Sequence, residues 1–256
     1  AANGYSGTSF AQVQQLYIAY APSDKITITA GNFGTHVGYE VIDANANFHY
    51  STSYMFSYGP FFHTGLKADV ALTDEVGLMV GIFDDTDNKF DIVAGKNYGA
   101  QLSYSAENVG DIYLNYLGGP DGIDSVGFNQ IDLTASFPLN DQFTLGVNAT
   151  TKTISDDRID DNATWYGAAL YLGYEINKKV TVGVRAEYFD DADGAIFGIA
   201  DLNLIDLTAS ANITIDELTI IPEFRVDFAS KDIFTNTDGD FLGSSPRFIL
   251  AAVYAF

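Results

Sequence analysis

Along most of this chain apolar and polar residues alternate at every second position, and no other feature constrains the fold as strongly. Ile205, Leu207, Ala209, Ala211, Ile213 and Ile215 fall on one side of an extended segment, with Asp206, Thr208, Ser210, Asn212 and Thr214 on the other. Leu218, Ile220, Pro222, Phe224, Val226 and Phe228 repeat the pattern against Thr219, Glu223, Arg225 and Asp227. The chain finishes on RFILAAVYAF, with Phe248, Leu250, Ala252, Tyr254 and Phe256 sharing a face. A period of two marks a strand with one apolar face. Each segment is close to the ~9–11 residues that a tilted strand needs to cross a bilayer.

About thirteen such segments follow one another, beginning near Phe10, Lys25, Phe61, Val76, Tyr98, Asp111, Ser125, Phe143, Thr164, Val180, Leu204, Leu218 and Arg247. Their connections alternate in kind. Short ones fall at Ala21–Asp24, Thr73–Glu75, Glu107–Gly110, Asn140–Gln142, Asn177–Lys179 and Asp216–Glu217. Long ones fall at Phe33–Pro60, Asp84–Asn97, Gly118–Asp124, Ser155–Asn162, Asp190–Asn203 and Ala229–Pro246. Bacterial barrels put short turns in the periplasm and long loops outside, so the pattern gives every strand a direction. Tyr20, Tyr104, Phe137, Phe143, Tyr174 and Phe256 then gather at the short-turn side, as a girdle of aromatics does at headgroup level.

The fold class predicted is therefore all-β: an antiparallel transmembrane β-barrel formed by residues 1–256 as one domain. The directions put the first segment, AANGYSGTS, outside and the last strand's end in the periplasm. About thirteen antiparallel strands with ends on opposite sides do not close, because a single-chain bacterial barrel needs an even number. The expectation is at least one further amino-terminal strand and ~14–16 in the complete barrel.

Composition excludes other classes. Among 256 residues there is no run of the ~18 apolar residues that a membrane helix needs. A net charge of -22 excludes a nucleic-acid binder, which needs a basic footprint. The absence of cysteine fits passage through an oxidising periplasm.

Between Ala19 and Leu72 the chain carries GNFGT at Gly31–Thr35, GYE at Gly38–Glu40, an Asn/Tyr/Ser run around Asn47–Ser53, and GPFFHTG at Gly59–Gly65. In this order the segment resembles the OmpL-like β-barrel porin family of Bacteroidota-type outer membranes. The resemblance implies an outer-membrane barrel with a pore and further strands upstream, and it brings no catalytic residues.

Inward faces carry Lys67, Asp69, Asp132, Lys152, Arg185, Glu187, Asp206, Glu223, Arg225, Asp227 and Arg247. A Lys or Arg facing lipid at mid-bilayer costs about 2–4 kcal/mol, so these residues are expected to line a lumen. Residues 33–60 form a connection too long for an idle loop and too aromatic for a disordered one. Folded into the barrel mouth, it would place Tyr39, Glu40, Asp43, His49 and Tyr54 at a constriction. Acidic loops raise the question of calcium, but none has the complete DxDxDG…E pattern. No metal or other cofactor is assigned; Asp84, Asp85 and Asp87 are the nearest to a calcium-type cluster. His49 and Ser51 have the spacing that puts a base and a hydroxyl on one strand face, yet no third group completes them.

The expected function is passive diffusion of small hydrophilic solutes or ions, with an acidic lumen favouring cations. Two alternatives differ in class: a plugged barrel serving as a structural subunit of an envelope complex, and, more remotely, a barrel lipase or protease. The expected location is the outer membrane of a Gram-negative bacterium, among lipid and lipopolysaccharide. Homo-oligomers or envelope subunits are the partners in view.

Overall fold

The computed structural model describes residues 13–90, 94–157 and 161–255. Its strands are β1 Leu16–Ser23, β2 Ile26–Gly34, β3 Phe62–Ala71, β4 Val76–Phe83, β5 Asn97–Ala106, β6 Gly110–Asp121, β7 Ile123–Pro138 and β8 Phe143–Asp156. They continue as β9 Asp161–Asn177, β10 Val180–Asp191, β11 Leu202–Ile215, β12 Leu218–Ala229, β13 Phe234–Thr235, β14 Phe241–Leu242 and β15 Ser244–Tyr254. Thirteen of them form one sheet in chain order from β1 to β12 and then β15, while β13 and β14 pair only with each other.

Every pairing in the large sheet is antiparallel, so the first and thirteenth strands run in the same direction. Among the described residues β1 pairs with β2 alone and β15 with β12 alone, and all of β1 is exposed.

Burial is inverted relative to a soluble protein. On β11 Asp206 is 0 % exposed and its neighbour Leu207 45 %; on β12 Asp227 is 0 % and Phe224 52 %. Phe248, Leu250 and Tyr254 on β15 are likewise exposed. A continuous apolar exterior around a polar interior is stable only where lipid is the solvent. Phe143 and Tyr174 meet as a cross-strand pair at the short-turn end, with ring centroids 4.5 Å apart.

Several sequence expectations need correction. Strand lengths are not uniform: β1 has 8 residues and β9 has 17. The connection expected at Gly118–Asp124 is largely strand, and so are the described residues of the one expected at Ser155–Asn162, Asp157 excepted. β6 and β7 meet at a tight turn on Gly122, whose φ of +75° suits a residue without a side chain. The 33–60 connection contains a short helix, α1 Tyr54–Tyr58, capped by the Ser53 hydroxyl accepting from Phe56 N. Five residues are too few for helical periodicity to register in a sequence. The strand start near Phe10, the girdle position of Phe256, and Asp91 and Asp160 in the acidic loops lie outside the described residues.

Candidate functional site

The connection from β2 to β3, residues 35–61, folds against the inner faces of β7–β12. Tyr39 stacks on Tyr171 of β9 with centroids 4.4 Å apart, and Met55 is buried beside Trp165 and Phe189. The wall is hollowed to receive these side chains. A Cβ at Gly146 would lie 2.3 Å from the Tyr39 hydroxyl, and one at Gly183 would lie 2.4 Å from the Phe48 ring. Both are separations that no side chain tolerates, so the glycines act as sockets.

Between the sockets the wall grips the loop by its backbone. The Glu223 carboxylate accepts from the amides of Tyr50 (2.8 Å) and Ser51 (3.0 Å). The Glu187 carboxylate accepts from those of Tyr54 and Met55, both at 2.8 Å. Arg185 donates to the Ser51 carbonyl (2.7 Å) and Arg225 to that of Thr52 (2.6 Å). Ser53 donates from its amide and hydroxyl to the loop's own Glu40, both at 2.7 Å. A segment stripped of water must have its peptide groups satisfied, and here charged wall residues do it. Such charge-assisted bonds contribute about 1.5–3 kcal/mol each.

The same residues form a ladder of alternating charge. Glu40 meets Arg185 (2.7 Å), Arg185 meets Asp206 (2.6 Å), and Asp206 meets Arg225 (3.0 Å). Arg225 meets Asp227 (2.7 Å), and Asp227 also takes Arg247. The ladder runs from the loop across β10, β11 and β12 to β15, and its three cations balance its three carboxylates. It ends at Arg247, whose side chain is 49 % exposed.

Of the eleven inward residues named from the sequence, Asp132, Arg185, Glu187, Asp206, Glu223, Arg225 and Asp227 are buried, and all seven face the loop or one another. Asp132 accepts from Gly38 N (3.0 Å) and from Asn115 and Asn148. Lys67 and Asp69 pair on β3 (3.1 Å) away from the ladder. Lys152 reaches Asp121 at the outer end of the barrel (3.2 Å). Of the five loop residues, Glu40 and His49 are buried in the grip, and Tyr39 and Tyr54 pack against the wall. Asp43 lies at the far side, taking a hydrogen bond from Gln14 ahead of β1 (3.1 Å). Val41, Ile42 and Tyr50 are exposed on the loop's free face.

His49 and Ser51 do not form a base–hydroxyl pair. The chain bends through residues 48–51 instead of extending, so alternate side chains do not share a face. His49 Nδ1 meets Ser210 Oγ at 2.6 Å. Burial first, then the Arg185 charge, hold its imidazole down to about 4 from 6.5, with Glu223 pulling the other way. A released loop takes up that proton at its ordinary pKa, so docking is at full strength above 6.5 and weakens as pH falls toward 4. Conductance should therefore rise on acidification across that window. His49→Gln should reduce the rise, leaving the part carried by His36 of the same loop, whose imidazole burial likewise lowers to about 4. A pH response identical in the two proteins would contradict this.

The calcium-type cluster is dispersed among protein partners. Asp84 pairs with Lys96 (2.9 Å), Asp85 accepts from Asn88 and Gly122 N, and Asp87 accepts from the amides of Phe61 and Phe62. Among the described residues no group of three or more acidic or histidine side chains is placed to hold a metal ion.

Sequence reasoning missed the apolar filling of the outer half of the interior. Phe33, Met79, Phe83, Leu117 and Phe128 form one buried cluster. Trp165, Phe189 and Leu204 form another, covered by Phe197, Ile233 and Phe234 from the external loops. Below the loop, toward the short turns, the interior is open. Cavities of ≈ 290 Å³ beside Tyr39 and Thr144, ≈ 410 Å³ beside Asn212 and Thr214, and ≈ 340 Å³ beside Asp69 and Gln101 occupy it.

Comparison with known proteins agrees with this architecture. The family described as "Putative beta-barrel porin-2, OmpL-like" matches residues 2–256. No curated protein matches the sequence significantly. Among solved structures, OmpT of Vibrio cholerae superposes with a TM-score of 0.67 at 11 % identity, over 94 % of this chain and 80 % of that one. An anion-selective porin from Comamonas acidovorans gives 0.66 at 11 % identity, over 95 % and 78 %. OccAB4 of Acinetobacter baumannii gives 0.53 at 13 % identity, over 94 % and 64 %.

Proposed function

Because the chain belongs to the OmpL-like β-barrel porin family of the outer membrane, we propose that it conducts small hydrophilic solutes and ions passively, with loop 35–61 setting the width of the passage. The observation that carries this reading is the grip of Glu187, Glu223, Arg185 and Arg225 on the loop backbone, which holds one wall of the interior filled. The passage then runs along the loop's exposed face, past Asp43, Lys67, Asp69 and Arg247. Antiparallel closure of the sheet needs an even strand number, so the reading includes at least one further strand between the β15 and β1 edges, for ~14–16 in total.

A cation preference follows from charge. The ladder is internally neutral, and besides the buried Asp132, Glu187 and Glu223 most of the acidic excess behind the formal net charge of -22 lies in the mouths and loops, where it concentrates cations. The structurally similar Comamonas porin is anion-selective, which makes the sign worth measuring. In planar bilayers under a potassium chloride gradient, the reversal potential should have the sign of a cation channel. Asp43→Asn with Asp69→Asn should move it toward zero. An anion-selective potential would overturn the charge assignment.

The same grip supports a second reading, a barrel plugged for a structural role. It predicts no solute flux at any pH from reconstituted protein, whereas the channel reading predicts efflux of small sugars from proteoliposomes.

A further inference from the structure

Two features unrelated to the lumen meet on the lipid-facing side of β9–β12. Pro222 sits in the middle of β12, paired with Leu250 of β15 on one side. It has no N–H to give, and the ladder to β11 lapses there: Ser210 pairs with Glu223 and Ile213 with Ile220, but Ala211 and Asn212, paired to β10, have no partner on β12. The outward residues of β11 at this level are Ala209 and Ala211, which stop at Cβ. Between Val182 and Val184 on one flank and Phe224 on the other they leave an apolar trough of ≈ 480 Å³.

The second feature is charge. At the periplasmic end of β10 the turn from β9 carries Lys178 and Lys179, both exposed and the only adjacent basic pair in the sequence. Neither is in an ion pair among the described residues. The other short turns carry acids, among them Asp24, Asp74, Glu107, Asp141 and Asp216. Lys179 precedes Val182 by three residues, which at ~3.3 Å per residue puts the turn ~10 Å below the trough. Lysine stems span such distances along an apolar surface while the ammonium stays at headgroup level.

We propose that this surface binds an anionic phospholipid of the periplasmic leaflet, with an acyl chain in the trough and the phosphate on Lys178 and Lys179. The leaflet follows from the short turns, which lie on the periplasmic side. A second copy of the chain is disfavoured as occupant, since it would bring a net charge of -22 toward an equally acidic partner. The proposal rests on the orientation of the barrel and not on conduction.

The test is native mass spectrometry of the full chain released from nanodiscs of phosphatidylglycerol mixed with phosphatidylcholine, its folding confirmed by heat-modifiable mobility. Wild-type protein should retain phosphatidylglycerol about tenfold over the neutral lipid, as two interfacial lysines allow. Lys178→Gln with Lys179→Gln should bring retention to parity. Ala211→Leu, which fills the trough and keeps both charges, should lower it as well; if that variant does not fold, Ala209→Val serves. Parity in the wild type would overturn the site. So would loss on removing the lysines with no effect of filling the trough, since that describes general surface attraction.

Discussion

Replacing Arg185 with alanine is expected to free the loop and raise single-channel conductance severalfold. The guanidinium joins the loop's Glu40, the loop's Ser51 carbonyl and the wall's Asp206, all in a dry interior. Its removal leaves the buried Glu40 carboxylate without a cation and Asp206 with Arg225 alone, and breaking a buried pair from one side costs about 3–5 kcal/mol. The barrel has another way to relieve that cost. With each strand hydrogen-bonded to its neighbours in the sheet, the wall holds while the loop leaves and carries Glu40 to water. Arg185→Lys keeps the charge without the fork that reaches three partners, so its conductance should lie between those of the wild type and the alanine variant. Protease sensitivity between residues 40 and 58 should rise in step. An alanine variant with wild-type conductance and an intact loop would show that the grip does not depend on this residue.

Filling a glycine socket should have the next largest effect. Even a Cβ at position 183 falls 2.4 Å from the Phe48 ring, so Gly183→Leu expels that ring outright. Phe48 does not leave alone: Asn212 holds its carbonyl (2.9 Å), and the next residue, His49, is bonded to Ser210. Overpacking alone costs about 1–3 kcal/mol, and losing these bonds adds to it. Gly183→Leu should therefore widen the channel without Arg185 being touched. Combining it with Phe48→Ala, which empties the socket of its other occupant, should restore conductance toward the wild-type value. A general weakening of β10 would be made worse by the second substitution, not relieved.

The strand plan was legible because it rests on a local signal. The starts expected at Val76, Phe143, Val180 and Leu218 coincide with the observed ones, since period two begins sharply after a short polar turn. Strand ends on the outer side were less legible: β8 has 14 residues and β9 has 17, more than the ~9–11 that cross a bilayer, and alternation continues through the excess. The 33–60 loop could be marked as interior from its aromatic content, but its grip could not be read. Glu187 reaches the amides of Tyr54 and Met55, residues more than a hundred positions away, and nothing near Glu187 signals that partner. The sockets did leave a trace. Gly146 and Gly183 interrupt strand interiors, where glycine weakens a sheet unless something approaches closely. Trp165 and Phe189 were missed for the opposite reason: they are apolar residues on the inward side, where a membrane barrel is expected to be polar.

Single-channel recording of the purified protein in planar bilayers tests the central claim most directly. A loop gripped along one wall of an interior that is open toward the short turns predicts discrete, stable current steps in the wild type and larger steps in Arg185→Ala. Folded protein that inserts and gives no steps in either form would contradict it, and would make the barrel a plugged structural element of the outer membrane.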